Sequence, residues 1–280
     1  MPISKKFIVG LLILVISLLN LSVEISAKTE LKSAVNTKSG QSLFVPSRAV
    51  EVAPHVFSLG ESIDHEHGDI VQGYMFVHPK KGYGKPENKP GKGGSAGTTC
   101  YGFLAKDAKW KTIEPWVLNP SNTFGISDAS VLQTMSESIA KWEDAAQADI
   151  LGNGLNTTST LVADTVSMDG INEVYFDSLD EGTIGVTIVW GIFGGSPQNR
   201  ELREWDQVYN TFYNWGDAEL NADLMDLESI ATHELGHSVG MNDLYDQACS
   251  DETMYGYGTE GETKKRDLGT GDIAGINKLY

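Results

Sequence analysis

The sequence predicts an α+β protein with several strands and three helices, and three observations point that way. Residues 183–192, Thr-Ile-Gly-Val-Thr-Ile-Val-Trp-Gly-Ile, form a short continuous apolar run of the length and β-branched content of a buried strand. Val131, Met135, Ile139 and Trp142 recur at helical spacing instead. A run of three strand-like segments is then followed by two helix-like ones, without an internal repeat.

The elements follow in chain order. Lys5 and Lys6 precede an apolar run from Phe7 to Val23 and a small-residue site at Ser26-Ala27, so residues 1–27 read as a signal peptide and the protein as exported, secreted and extracellular. The run exceeds the ~7–15 residues usual for a cleaved core, so an uncleaved N-terminal anchor is the competing reading. No later stretch is apolar enough to span a bilayer, and no membrane association is expected after cleavage.

Residues 28–79 read as an N-terminal module or propeptide. A polar lead extends to about residue 48, and the stretches Val52 to Leu59 and Asp69 to His78 make a β-hairpin around the turn Asp64-His65-Glu66-His67-Gly68. His65 and His67 read as solvated turn residues, because an isolated pair lacks the further ligands of a closed metal site. Residues 80–99 are a Gly/Pro/Lys linker with almost nothing to bury, and a candidate processing site.

Residues 100–280 read as one globular domain. Thr112 to Asn119 is a strand ended by Pro120, and Ser127 caps the helix that carries Val131 and Trp142. Strands are expected at 172–177, 183–192 and Glu204 to Trp215, with helices from Asp223 to about Gly240, capped by Asp223 or Asp226, and from Thr270 to Tyr280.

The chain carries 38 acidic against 21 basic residues in 280, a formal charge of −17, which disfavours nucleic acid and anionic lipid as partners. The acidic run holding Asp164, Asp169, Asp177, Asp180 and Glu181 reads as a solvated loop face, with Ca2+ as its alternative, since no spacing there matches a known calcium loop. Cys100 and Cys249 read as one disulfide, as expected of an exported chain. The alternative is a free Cys100 thiolate capping a metal in a latent precursor.

The chemistry is concentrated in Thr232-His233-Glu234-Leu235-Gly236-His237-Ser238-Val239-Gly240-Met241-Asn242-Asp243. Two histidines four apart on a helix stand one above the other and can share one Zn2+ ion. Glu234, next to the first, can take a proton from water at the metal without ligating it. Gly240 can adopt the left-handed conformation that ends a helix and turns the chain back, which positions Asp243 as the third ligand, with Asp246 as the alternative. Three protein ligands leave the fourth position open, as catalytic zinc requires.

With that motif in view, the chain from Cys100 onward resembles the metzincin metallopeptidases, and among them the matrixins. Thr253-Met254-Tyr255-Gly256-Tyr257 is similar to the methionine turn below the metal in these enzymes, with Met254 as apolar packing and Tyr255 as structural. Gly271 to Tyr280 is similar to the matrixin closing helix. The resemblance implies a zincin-like domain with a twisted, mixed five-stranded sheet and three helices, preceded by the small hairpin module. Matrixins usually have His where this chain has Asp243 and Pro where it has Gly256, and no cysteine-switch sequence is visible. The only histidines after His78 are His233 and His237, so a second, structural zinc of the vertebrate type is not expected.

The function that follows is a secreted, monomeric zinc endopeptidase acting on extracellular protein or peptide substrates, with Glu234 as general base. An extended substrate is expected to add as a strand at the sheet edge near 183–192. The alternative is a secreted, zinc-stabilised binding or surface-layer protein without activity, against which the intact Glu234 argues.

Overall fold

The computed structural model describes residues 45–83 and 99–280. The signal segment of residues 1–27, most of the polar lead and most of the linker lie outside those residues. The strands are Val50–Ala53 (β1), Val56–Ile63 (β2), Ile70–Pro79 (β3), Trp116–Asn119 (β4), Gly154–Asn156 (β5), Asn172–Asp177 (β6), Thr183–Ile192 (β7), Glu201–Asn210 (β8), Trp215–Gly216 (β9) and Met225–Asp226 (β10). The helices are Asp128–Ala146 (α1), Leu227–Ser238 (α2) and Thr270–Leu279 (α3). Among the described residues a mixed sheet and three α-helices make up the α+β class that the periodicities predict.

Local chemistry accounts for most boundaries. The Ser127 hydroxyl accepts the Ser130 amide at 3.1 Å to start α1, whose apolar stripe Val131, Met135, Ile139 and Trp142 is buried. Nine of the ten β7 residues are buried, which is why that strand reads as a continuous apolar run rather than an alternating one. The expected strand at Thr112 begins only at Trp116, after Pro115, which has no amide to donate. The expected strand from Glu204 to Trp215 runs instead over β8, because the chain turns at Asn210 and Trp215 pairs with Met225 in a separate two-stranded sheet.

The main sheet has the order β1-β2-β3-β7-β8-β6-β4-β5. Strands β8, β6, β4 and β5 are parallel neighbours, and β1 to β3, β7 and β8 pair antiparallel. Here the structure departs from the expected five-stranded sheet with a preceding module. The hairpin is present, but β3 bonds along β7 from Gln72↔Gly191 to Pro79↔Thr183, so its strands extend the same sheet to eight. A bare β7 edge would present a row of unpaired amides and carbonyls, and β3 satisfies them. Its side chains also alternate: Met75 and Val77 join Phe57, Val186 and Trp190 in one core, while Phe76 joins Trp142, Trp205, Leu235 and Met254 in the other, on the helical face.

Cys100 and Cys249 form a disulfide, which excludes the free Cys100 thiolate. It ties the chain just before β4 to the segment after α2, a constraint typically contributing ~2–4 kcal/mol. No helix among the described residues is long and apolar enough to cross a membrane.

Candidate metal centre

Asp226, not Asp223, starts α2, accepting the Ser229 amide at 2.8 Å. His233 and His237 are buried on one face of this helix, with ring centroids 5.0 Å apart. His233 Nδ1 lies 2.7 Å from the Thr253 carbonyl, and His237 Nδ1 lies 3.1 Å from that of Met241. A carbonyl can only accept, so each Nδ1 carries a proton, and in the neutral ring that a metal requires each Nε2 keeps a free lone pair. Both point at one carboxylate: Asp243 Oδ1 is 3.3 Å from His233 Nε2 and 3.5 Å from His237 Nε2.

The chain reaches Asp243 through a sharp turn. Gly240 has φ +100°, and its amide bonds the His237 carbonyl at 2.9 Å, closing the helix and reversing the backbone. Asp246, the alternative ligand, is exposed and accepts the Ala248 amide at 3.0 Å, away from the histidines. The Tyr245 hydroxyl lies 3.1 Å from Asp243 Oδ2 and 3.1 Å from the Pro54 carbonyl, and its single proton serves one of them at a time.

Met254 lies fully buried against α2. A Cβ on Gly236 would fall 2.2 Å from the Met254 sulfur and 2.8 Å from the Trp142 ring, so only glycine fits between the two histidines. The turn is pinned from α3, where Asp272 accepts the Thr253 amide at 2.6 Å and the Met254 amide at 3.2 Å. Through the Thr253 carbonyl this anchor fixes the ring of His233. Tyr255 is buried, with its carbonyl accepting the Lys265 ammonium and its hydroxyl 3.4 Å from Gln247, which suits a structural part.

Glu234 is buried, with one carboxylate oxygen accepting the Thr187 hydroxyl of β7 at 2.5 Å and the other without a hydrogen-bond partner. Burial pushes its carboxyl up to about 7. Burial, helped by the Lys265 charge, takes His233 down to about 3. Burial opposes ionisation of His237 too, yet the Asp243 carboxylate wins and raises it. The same burial penalty on Asp243 is overcome by His237 and His233, which hold its carboxyl well below the usual range. A fully buried Lys265 completes the field, lowered to about 8 by burial.

Sequence reasoning missed Thr187, Tyr245, Lys265 and, above all, His78. His78 is 2% exposed and neither ring nitrogen has a hydrogen-bond partner; its Nδ1 is 3.6 Å from Glu234 Oε1 and its ring meets that of His233 edge-on, centroids 4.1 Å apart. The only signal was strand alternation, which puts Phe76 and His78 on one face of β3. The edge at 183–192, expected to receive a substrate, is covered here by β3. His65 stays exposed in the hairpin turn, and His67 there pairs with Asp64 at 2.8 Å.

The donor set fits a zinc ion. His233 Nε2, Asp243 Oδ1 and Glu234 Oε1 are buried polar atoms without hydrogen bonds, converging from one imidazole and two carboxylates beside the His237 ring. Such atoms are costly unless a further partner is present, and a divalent cation is the partner this chemistry calls for. Away from this centre, Asp164 and Asp169 of the acidic run meet Glu204 of β8, with one oxygen of each within 4.8 Å of the others. Oxygen ligands of this kind are the type Ca2+ takes, and Glu204 is the member the sequence did not suggest.

Compared with known proteins, residues 110–280 match the family described as Matrixin. No curated protein matches the chain.

Proposed function

We propose that this chain, which belongs to the matrixin family of zinc-dependent endopeptidases, is a secreted enzyme that cuts extracellular proteins with His233, His237 and Asp243 as its zinc ligands and Glu234 as its general base. The observation that carries the assignment is the convergence of two Nε2 lone pairs on one Asp243 oxygen, beside a buried carboxylate. When bound there, zinc supplies Lewis-acid polarisation of the scissile carbonyl and makes water more acidic.

The remaining steps belong to the protein. Glu234, oriented by the Thr187 hydroxyl at 2.5 Å, takes a proton from the attacking water and delivers it to the leaving amine nitrogen. The β7 backbone offers the hydrogen bonds that align an extended substrate once its edge is free. Thr253 and Met241, through their carbonyls, hold both imidazoles in the ligating tautomer. Export is supported by the leader-like residues 1–27 and by the disulfide, which persists in an oxidising compartment.

The test is casein hydrolysis before and after limited proteolysis of the purified protein, with chelator added and zinc restored. Glu234→Gln should retain zinc and lose activity by at least about a hundredfold. His233→Ala and His237→Ala should lose the metal as well. Zinc content unchanged in both histidine variants would remove the assignment.

A further inference from the structure

The candidate zinc centre contains one more imidazole than its proposed reaction needs. We propose that His78 is a fourth protein ligand of the zinc ion, so that the chain with β3 in place is a latent form whose cleft opens when that strand leaves. The inference rests on the metal site proposed above and adds a regulatory residue to it.

The geometry argues for ligation over core packing. A tetrahedral zinc with bonds of ~2.0–2.1 Å places its ligand atoms roughly 3.3 Å apart. The His233 and Asp243 atoms are already at 3.3 Å. A His78 ring nitrogen lies within 4.8 Å of both, so a small side-chain adjustment completes the set. A packed core histidine normally donates or accepts at one ring nitrogen, whereas His78 is 2% exposed and does neither. Three protein ligands leave room for water; a fourth closes the site.

The rest of the segment is fitted to the cleft. Phe76, two residues earlier on the same face of β3, stacks on the His237 ring with centroids 4.1 Å apart and planes 16° apart. One strand face thus covers both histidines of the helix. Beyond His78 the chain is bonded to both walls, Lys80 N to the Gly182 carbonyl at 2.9 Å and Lys81 N to that of Gly258 at 2.8 Å, and the Lys80 ammonium pairs with Glu260 at 2.7 Å. Pro54, between β1 and β2, reaches Tyr245 from the other side. A substrate that adds as a strand needs the β7 edge, and β3 holds it from Gln72 to Pro79.

X-ray absorption spectroscopy of the full, zinc-loaded chain counts imidazole ligands directly. Three imidazoles support the proposal; two, with oxygen completing the shell, overturn it and leave the His233/His237/Asp243 site standing, whereas no zinc uptake overturns both. In the cobalt-substituted full chain, acetohydroxamate should perturb the visible spectrum at least tenfold more readily in His78→Gln than in the unaltered protein. Equal affinity for acetohydroxamate overturns the proposal. The absorption count needs no variant, so it decides even if His78→Gln does not fold.

Discussion

Replacing Asp226 tests how the metal-bearing helix is anchored. Its carboxylate caps α2 by accepting the Ser229 amide at 2.8 Å, accepts the Ala218 amide at 2.9 Å, and takes Arg266 Nε at 2.9 Å and Nη2 at 2.5 Å, all at a position 1% exposed. Loss of a cap costs ~0.5–2 kcal/mol. A buried amide left without an acceptor costs ~1–3 kcal/mol, and a charge-assisted bond is worth ~1.5–3 kcal/mol. These overlap, and Arg266 keeps Asp217 and Glu228 as partners, so Asp226→Ala should lose about 3–5 kcal/mol. Asparagine keeps the helix cap through its single carbonyl oxygen but turns an NH2 towards the Ala218 amide and Arg266 Nη2, so Asp226→Asn should lose the ionic share and that second acceptor, about 2–4 kcal/mol and less than alanine.

At ~2–4 °C per kcal/mol for a domain of this size, the alanine variant should melt roughly 6–20 °C lower. Urea denaturation of the metal-free protein gives the free energies, and calorimetry gives Tm. Burial opposes ionisation of Asp226, but Arg266 prevails and its folded pKa is lowered. The stability it contributes is therefore present above the unfolded value of about 4 and is lost as pH falls through the folded one. The deficit of Asp226→Ala should accordingly shrink in strong acid. A deficit under about 1 kcal/mol at neutral pH, or equal losses for Asn and Ala, would refute this account of the cap.

Three other outcomes are expected. Gly236→Ala gains ~1 kcal/mol of helix propensity but forces a Cβ onto Met254 and Trp142, an overpacking cost of ~1–3 kcal/mol, so it should lower stability and weaken zinc binding; a stabilised variant with unchanged zinc affinity would contradict the packing argument. Burial, reinforced by Asp169 and Asp164, pushes Glu173 up to about 7, and burial likewise raises Asp164, Glu204 and Asp206, so between about pH 5 and pH 7 the folded state holds more protons and this cluster loses stability as pH rises. Millimolar calcium should recover that loss in thermal melts, and variants Glu173→Gln and Glu204→Gln should flatten the dependence; melts unaffected by both calcium and the variants would sink it. Reducing the Cys100–Cys249 disulfide should cost ~2–4 kcal/mol in denaturation experiments, and no change on reduction would show that the 149-residue separation it spans is already constrained.

What could be read from the chain directly was whatever depends on neighbours a few residues away. The Ser127 cap, the α1 stripe, the strand limits 172–177 and 183–192 and the four-residue spacing of His233 and His237 all follow from local periodicity, and the structure has them where expected. Gly240 is similar: a helix that must stop and reverse needs a residue comfortable at φ +100°. Short elements such as β5, three residues long, gave no period to detect.

Only the tertiary structure decided which distant segments meet. Nothing in the spacing of residues 70–79 says that their strand completes the β7 edge, because any exposed edge accepts any strand whose alternation fits both cores. For the same reason His78 looked like the end of an apolar run until folding set it against a helix more than a hundred residues away. Glu204 joining Asp164, and Thr187 orienting Glu234, are likewise products of strand register, which long-range pairing fixes and sequence neighbours do not.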